Sequence, residues 1–281
     1  MDFAHTPEHL NPVIVSIGVF EIRWYSLMYV VAFLLTYLLA LYRIKKEDFK
    51  YTRAIISDFM LWAIFGVLVG GRLGYVLFYD LKYFLSEPLR IIFPFTFSGG
   101  FHYTGIYGMS YHGGLLGVLF ACVLFCHKHR INFWRFADFF SPIIPLGYTF
   151  GRIGNFINGE LWGRPTHLPW GMYFPLDTTG QLRHPSQLYE AFFEGLFLFA
   201  LLWSLRKKRY FDGFLFALYL MGYGVIRFFL EFFREPDSQL GFILGPFTMG
   251  QVLCLEMALV GFLVFYLKSR KANNKDKYAN L

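Results

Sequence analysis

Charge is what this chain has least of: Asp, Glu, Lys and Arg make up 16% of its 281 residues, while 56% are hydrophobic and 22% aromatic. That balance excludes an ordinary soluble domain and makes a polytopic membrane protein the default. Cysteine is nearly as scarce. Cys122, Cys126 and Cys254 all fall inside apolar runs, which excludes a disulfide framework and leaves them as small core residues. There is no HExxH, no Cys/His cluster and no phosphate loop after a strand, so neither a metal nor a cofactor is expected. No internal repeat is visible. The first twenty residues hold His5, Glu8 and Pro12 with no basic start, and they do not resemble a cleavable signal peptide. Insertion then falls to later segments.

What the chain has in abundance is apolar length. Runs of roughly 20 residues, enough to cross a bilayer, occur at Trp24 to Tyr42, Ala54 to Phe78, Phe136 to Ile157, Ser186 to Leu205, Gly213 to Leu230 and Phe247 to Leu267. A shorter one, Gly113 to Cys126, spans only if it recruits Tyr107 to His112. The basic residues arbitrate. Seventeen of the 26 fall after Tyr42, after Cys126, at Arg206 to Arg209 and from Lys268 onward, which are alternate connections. The positive-inside rule makes those connections cytoplasmic. The alternation requires seven transmembrane helices, with the N-terminus outside and the C-terminus cytoplasmic. The expected fold is an all-α membrane domain over 1–267 followed by a basic cytoplasmic tail, 268–281. Orientation also accounts for the net charge of +7, so nucleic acid is not an expected partner.

The other nine basic residues are Arg23, Arg72, Lys82, Arg90, Arg152, Arg164, Arg183, Arg227 and Arg234, eight of them Arg. Arg is the residue whose planar fork suits bidentate phosphate binding. Ion pairing with Glu21, Glu160, Glu190, Glu194 or Glu231 is the alternative use for each. Two long outer segments are expected: 80–111, aromatic and broken by Pro94 and Gly99 to Gly100, which suits an interfacial path, and 159–185, Pro- and Gly-rich, which suits a small outer cap.

The most unusual stretch is GRIGNFINGELWGR, Gly151 to Arg164. It ends an apolar run, where polar groups are costly and usually functional. Helical spacing puts Arg152, Asn155 and Asn158 on one face, with Gly147, Gly151 and Gly154 available for close helix approach. Five further patches fall at the same expected depth: Trp24–Tyr25, Gly70–Tyr75, Ser110–Gly114, His184–Glu190 and Arg227–Asp237. In the last, Arg227 and Glu231 are four residues apart and can pair directly. The set offers guanidinium groups, one imidazole, amides and carboxylates, and lacks a good nucleophile. Ser110 and Ser186 show no Ser-His-Asp pattern. Chemistry here would use a nucleophile that belongs to the substrate, with His112 to take its proton and Arg groups to stabilise a departing phosphate.

These residues carry a resemblance. GRIGNFINGELWGR, YHGG at Tyr111 to Gly114, HPSQLYE at His184 to Glu190 and RFFLEFFREPD at Arg227 to Asp237 closely resemble the bacterial prolipoprotein diacylglyceryl transferases, in order, from about Pro12 to Leu267. The resemblance implies a multi-pass enzyme of the bacterial cytoplasmic (inner) membrane. It would move the diacylglyceryl group of phosphatidylglycerol onto the lipobox cysteine of a prolipoprotein signal peptide, forming a thioether and releasing glycerol phosphate. It also implies functional roles for Tyr25, His112, Arg152, Asn155, Glu160, Gly163, Arg227 and Glu231, with Arg152 at the phospholipid and Arg227 a second essential arginine. Asn158 and Arg72 join the phospholipid-contacting candidates. One departure is visible: Gly105 to Gly114 reads GIYGMSYHGG, with Tyr111 where the family usually has Phe. The competing class is a transporter or channel, against which the odd span number, the absent repeat and the outward bias of the polar cluster all argue.

Overall fold

The computed structural model describes residues 3–18, 20–78, 81–92, 95–96, 102–103, 110–236 and 242–279, the side chains of 20, 78, 95–96, 102–103, 111–112, 242–244 and 273–279 excepted. The structure is mostly helical. In chain order the helices are α1 (Trp24–Lys46), α2 (Arg53–Phe78), α3 (Leu81–Ser86), α4 (Tyr111–Lys128), α5 (Phe133–Phe140), α6 (Ile144–Ile157), α7 (Ser186–Glu190), a π-helical turn (Ala191–Phe197), α8 (Leu198–Leu205), α9 (Phe214–Leu230) and α10 (Met249–Ala279). Four helical segments, Trp24–Lys46, Arg53–Leu77, Ser186–Leu205 and Met249–Ala272, are long and apolar enough to cross a membrane, and Gly113–Lys128 and Phe214–Leu230 are shorter apolar helices. Large apolar side chains stay exposed along them, Val30 at 62% and Phe65 at 64%, as a lipid-facing surface demands.

The structure differs from the sequence expectation in three places. The run from Phe136 to Ile157 is not one helix. It breaks over Ser141–Ile143, because Pro142 has no N–H to give and Pro145 starts a fresh helix as one of the first residues of α6. Helix α7 passes into α8 through the π turn. Three two-stranded antiparallel hairpins also appear: β1–β2 (Val13–Ile17, Phe20–Arg23), β3–β4 (Phe95–Thr96, His102–Tyr103) and β5–β6 (Phe242–Leu244, Phe247–Thr248). Of the 80–111 segment, α3 and a 3-10 turn at Pro88–Ile91 are formed, and residues 80, 93–94, 97–101 and 104–109, with Pro94 and Gly99 to Gly100 among them, lie outside the described residues.

The chain divides into two compact units, 50–133 and the remainder. In the smaller unit α2 and α4 interlock through glycine. A Cβ on Gly66 would lie 2.8 Å from the Gly117 carbonyl, one on Gly70 2.6 Å from the Gly117 Cα, and one on Gly74 2.7 Å from the Gly113 Cα. Those separations leave room for hydrogen only, so the backbones touch. Ser110 caps α4, its hydroxyl accepting from the Gly113 N–H at 3.2 Å, and its own N–H reaches the Gly71 carbonyl at 2.8 Å.

In the larger unit, Gly154 of α6 lets Tyr25 of α1 approach and Gly147 faces Ala32 and Thr36; Gly151 meets nothing within 4 Å and plays no part in that approach. Gly224 of α9 faces Cys254 and Ala258 of α10, and Gly261 of α10 returns the contact to α9. Arg43, one of the orienting charges, is fully buried. It pairs with Glu47 at 2.6 Å and donates to the carbonyls of Asp138 and Phe139, while Arg206 approaches the same Glu47 at 3.3 Å. Asp138 accepts from the N–H groups of Gly213 and Phe216 at 2.7 and 2.9 Å, capping the start of α9.

Two substitutions test this packing by thermal unfolding in detergent. Glu47→Ala leaves a buried guanidinium without its carboxylate and should cost about 3–5 kcal/mol. Gly117→Val should cost about 1–3 kcal/mol by overpacking α2 against α4; an unchanged melting temperature in either would refute the corresponding contact.

Candidate active site

Helix α6 ends at Ile157 with Asn158 as its C-cap, and the chain then reverses through two left-handed residues, Gly159 (φ 67°) and Leu161 (φ 60°). The reversal brings Glu160 back over the helix end, its N–H on the Asn155 carbonyl at 3.1 Å. The amides of Asn155 and Asn158 then both donate to Glu160 Oε1, at 2.9 and 3.4 Å, and Asn155 Oδ1 accepts from Arg152 Nη1 at 3.2 Å. Spacing alone put Arg152, Asn155 and Asn158 on one face, and the geometry adds Glu160 as the group that ties them.

Arg152 is held from several sides. Its Nε lies 2.7 Å from Glu190 Oε2 and 2.7 Å from the Tyr148 hydroxyl, and its guanidinium sits 4.7 Å from the Tyr148 ring centroid. Glu190 uses its other oxygen on a second arginine, with Oε1 2.7 Å from Arg227 Nη1. Arg227 also meets Glu194 Oε1 at 3.4 Å and Glu231 Oε2 at 2.9 Å, so the expected pair four residues apart is formed. The side chains of Glu190, Glu194, Glu231 and Arg227 are all at least nine-tenths buried, and Arg152 retains 12% exposure.

The supporting elements explain how so much charge is placed. The π turn widens the helix after Glu190, and the Thr149 hydroxyl of α6 meets the Ala191 carbonyl at 3.3 Å. Gly195 makes room for Thr149, whose side chain would overlap any Cβ there. Glu231 is steadied from α10, where Thr248 and Gln251 form a capping box: the Thr248 N–H donates to Gln251 Oε1 at 3.1 Å and the Gln251 N–H to Thr248 Oγ1 at 3.3 Å. The same threonine hydroxyl donates to Glu231 Oε1 at 3.1 Å. A Cβ on Gly250 would be 2.7 Å from that oxygen, so the position needs glycine.

The remaining candidates divide. Tyr25 rests its ring against Gly154 and places its hydroxyl 2.9 Å from that of Tyr29. Gly163 bridges to Arg234, where a Cβ would lie 2.7 Å from the His184 Cβ and overlap the Phe233 carbonyl, so close backbone approach demands glycine there. Arg72, in the 50–133 unit, donates to the Ile91 carbonyl at 2.9 Å and to that of Arg90, with its guanidinium 4.8 Å from the Phe84 ring centroid. It clasps the 3-10 turn. His112 occupies the first turn of α4, and its side chain lies outside the described residues.

Sequence reasoning named Glu190 and Glu194 only as ion-pairing alternatives for the arginines, a pairing that is formed here, and did not single out Tyr148. The available signal was two acidic residues four apart inside an apolar run, a costly pattern that calls for buried partners.

The 159–185 segment is folded. Isolated bridges pair Gly163 with Arg234 and Arg183 with both Pro165 and Met172, and Arg183 pairs with Asp177 at 2.7 Å and Glu235 at 3.0 Å. Burial alone would push the Asp177 carboxyl up, but hydrogen bonds from Arg183 and Thr179 prevail and hold it below the usual carboxylate range. Burial pushes the His184 imidazole below its ordinary value of 6.5.

Fold and site together define a multi-pass membrane protein built around a buried arginine–glutamate centre. The family model for prolipoprotein diacylglyceryl transferase matches residues 12–267. A phosphatidylglycerol–prolipoprotein diacylglyceryl transferase of Chlorobaculum tepidum is 52% identical over 275 residues, covering 98% of this chain and 95% of the relative. Relatives of the same description from Bordetella avium and Legionella pneumophila strain Paris are 48% and 45% identical over 94% of this chain, covering 97% and 99% of their own lengths. The chain belongs to the prolipoprotein diacylglyceryl transferase family.

The His184 shift carries a sign. Below about pH 6.5 the unfolded chain takes up a proton at this imidazole before the folded one does, so stability falls as pH drops. Melting temperature followed from about pH 7 to pH 5 should decline, and His184→Gln should decline less steeply; equal slopes would show that another group is responsible.

Proposed function

We propose that this protein transfers the diacylglyceryl group of phosphatidylglycerol to the thiol of the lipobox cysteine in prolipoprotein signal peptides. The sulfur–carbon bond forms as the glycerol carbon–oxygen bond to phosphate breaks, and glycerol phosphate leaves with that electron pair. The observation that carries the reading is Glu190 bridging Arg152 and Arg227 at 2.7 Å on each side. Two guanidinium groups held by one shared anion present two sets of donors to any phosphate that displaces it. The site is preformed for an anion and suits a reaction whose nucleophile arrives with the peptide.

In this reading Arg152 and Arg227 hold the phosphate, and Asn155, Asn158 and Glu160 orient the head group at the end of α6. His112 or Glu231 accepts the thiol proton. Tyr25 and Gly163 shape the wall of the site, and Arg72 supplies a further contact to lipid. The chain crosses the bacterial cytoplasmic membrane seven times, N-terminus outside, with 159–185 as an outer cap over one catalytic domain, 1–267, and 268–281 as a cytoplasmic tail. Membrane lipid and the prolipoprotein are its partners.

Purified protein, labelled phosphatidylglycerol and a lipobox-cysteine peptide should yield lipid-modified peptide and free glycerol phosphate. A transporter would yield neither. Arg152→Ala should lower turnover by at least about 100-fold; near-normal turnover would sink the phosphate role. Activity retained in His112→Gln would move the base to Glu231.

A further inference from the structure

The place where Glu190 meets Arg152 is also in reach of a neutral group. Tyr148 stands one helical turn before Arg152 on α6, and its hydroxyl contacts both the arginine and the glutamate. Two contacts fix where its hydrogen goes. A guanidinium can only donate, so the 2.7 Å bond from Arg152 Nε uses the tyrosine oxygen as acceptor. The hydroxyl hydrogen is left to point elsewhere, and it donates to Glu190 Oε2 at 3.4 Å. That is the same carboxylate oxygen that pairs with Arg152 Nε. At 3.4 Å the bond is well beyond the usual length for a hydroxyl on a carboxylate, so the donor is aimed at the anion's place but weakly used at rest. The ring is fixed independently, 4.7 Å from the Arg152 guanidinium and edge-on to Tyr223 with centroids 5.8 Å apart. Tyr148 is half-buried rather than sealed off.

We infer that Tyr148 is a further phosphodiester-binding residue: when the lipid's phosphate takes the place of Glu190, the hydroxyl hydrogen donates to a phosphate oxygen. This rests on the transferase reading and deepens it. Arg152 goes on donating its Nε–H to the tyrosine oxygen, which keeps the hydroxyl turned toward the ligand and leaves the terminal nitrogens to the phosphate and to Asn155. The hydroxyl adds a donor without adding charge, so the ion pairs of the centre are left as they are. A glutamate that yields Arg152 keeps cations beside it, since Arg227 lies 2.7 Å from its other oxygen and Arg234 also acts on it. Glu194 and Arg227 face the same tyrosine, and Glu194 is the competing acceptor for its hydrogen.

The test is binding of phosphatidylglycerol to the purified full chain in detergent, by calorimetric titration without peptide. Tyr148→Phe keeps the ring on Arg152 and removes the hydroxyl. It should weaken binding about tenfold, as expected for one hydrogen bond to a charged group, and raise the KM by a similar factor. Infrared spectra of the bound lipid read the acceptor directly. The phosphate stretch should lie lower in wild type than in Tyr148→Phe, because a donor is lost in the variant. An affinity unchanged by Tyr148→Phe, even beside a lower melting temperature, would make the hydroxyl purely structural and overturn the inference. A phosphate stretch that is the same in both would overturn it too, since the hydrogen would then go to Glu194 or another protein group. Neither measurement needs transfer. Binding that depends on Tyr148 in a chain that lipidates no peptide would sink the transferase reading alone. An active chain whose lipid affinity ignores Tyr148→Phe would sink this inference alone.

Discussion

The interaction on which the site depends is the double engagement of Glu190. One carboxylate, 2% exposed, spends an oxygen on Arg152 of α6 and the other on Arg227 of α9, and so pins three chain segments to a common point. A buried ion pair gains little stability over a well-packed apolar core, because both partners must first lose their water. Its value is in geometry. Removing Glu190 takes a carboxylate from Arg152 and one of three from Arg227, so this one residue sets where each guanidinium points. The phosphate recognition proposed for this site calls for that kind of fixed direction.

Such a centre can exist only because the surrounding helices approach closely enough to keep water out. Glycine does this where backbones touch, at Gly154 against Tyr25 and at Gly224 against Cys254, and the π turn does it by letting Thr149 seat on Gly195. In lipid there is no general hydrophobic force between helices, so close packing and interhelical polar contacts carry the association. The two demands reinforce each other: close approach dries the charges, and the charges choose which approach is made.

Much of the fold was legible in the sequence because it depends on local pattern. The apolar runs foretold the long helices, and the four-residue spacing of Arg227 and Glu231 foretold their pair. Gly151 to Arg164 was readable as a polar patch because its members lie within one helix end and its turn. What was not legible depends on contact between distant segments. Glu190 and Glu194 were two of five candidate ion-pair partners, and only α6 and α9 beside them show which arginines they take. The break at Ser141–Ile143 was written in Pro142 and Pro145 but masked by hydropathy, which averages over a kink. The π turn has no sequence period of its own. Glycine at 163 was readable as important, yet its reason, the Phe233 carbonyl in the space a Cβ would fill, is a tertiary fact.

A buried site that carries its own counter-ions also constrains how a substrate can enter. Arg152 and Arg227 have no idle charge, since each already faces a carboxylate below 3 Å. Under the proposed function, binding a phosphodiester is an exchange of one anion for another, and its free energy is a difference between two paired states. That difference is small compared with the cost of either arginine standing alone. Exchange keeps the helices pinned while the site is empty, and it makes selectivity depend on whether the incoming anion can span both guanidinium groups as Glu190 does. On that reading an anion that reaches Arg227 alone leaves Arg152 without the carboxylate Glu190 supplied, whereas Arg227 itself keeps Glu231 at 2.9 Å, so the bridge favours ligands that reach Arg152.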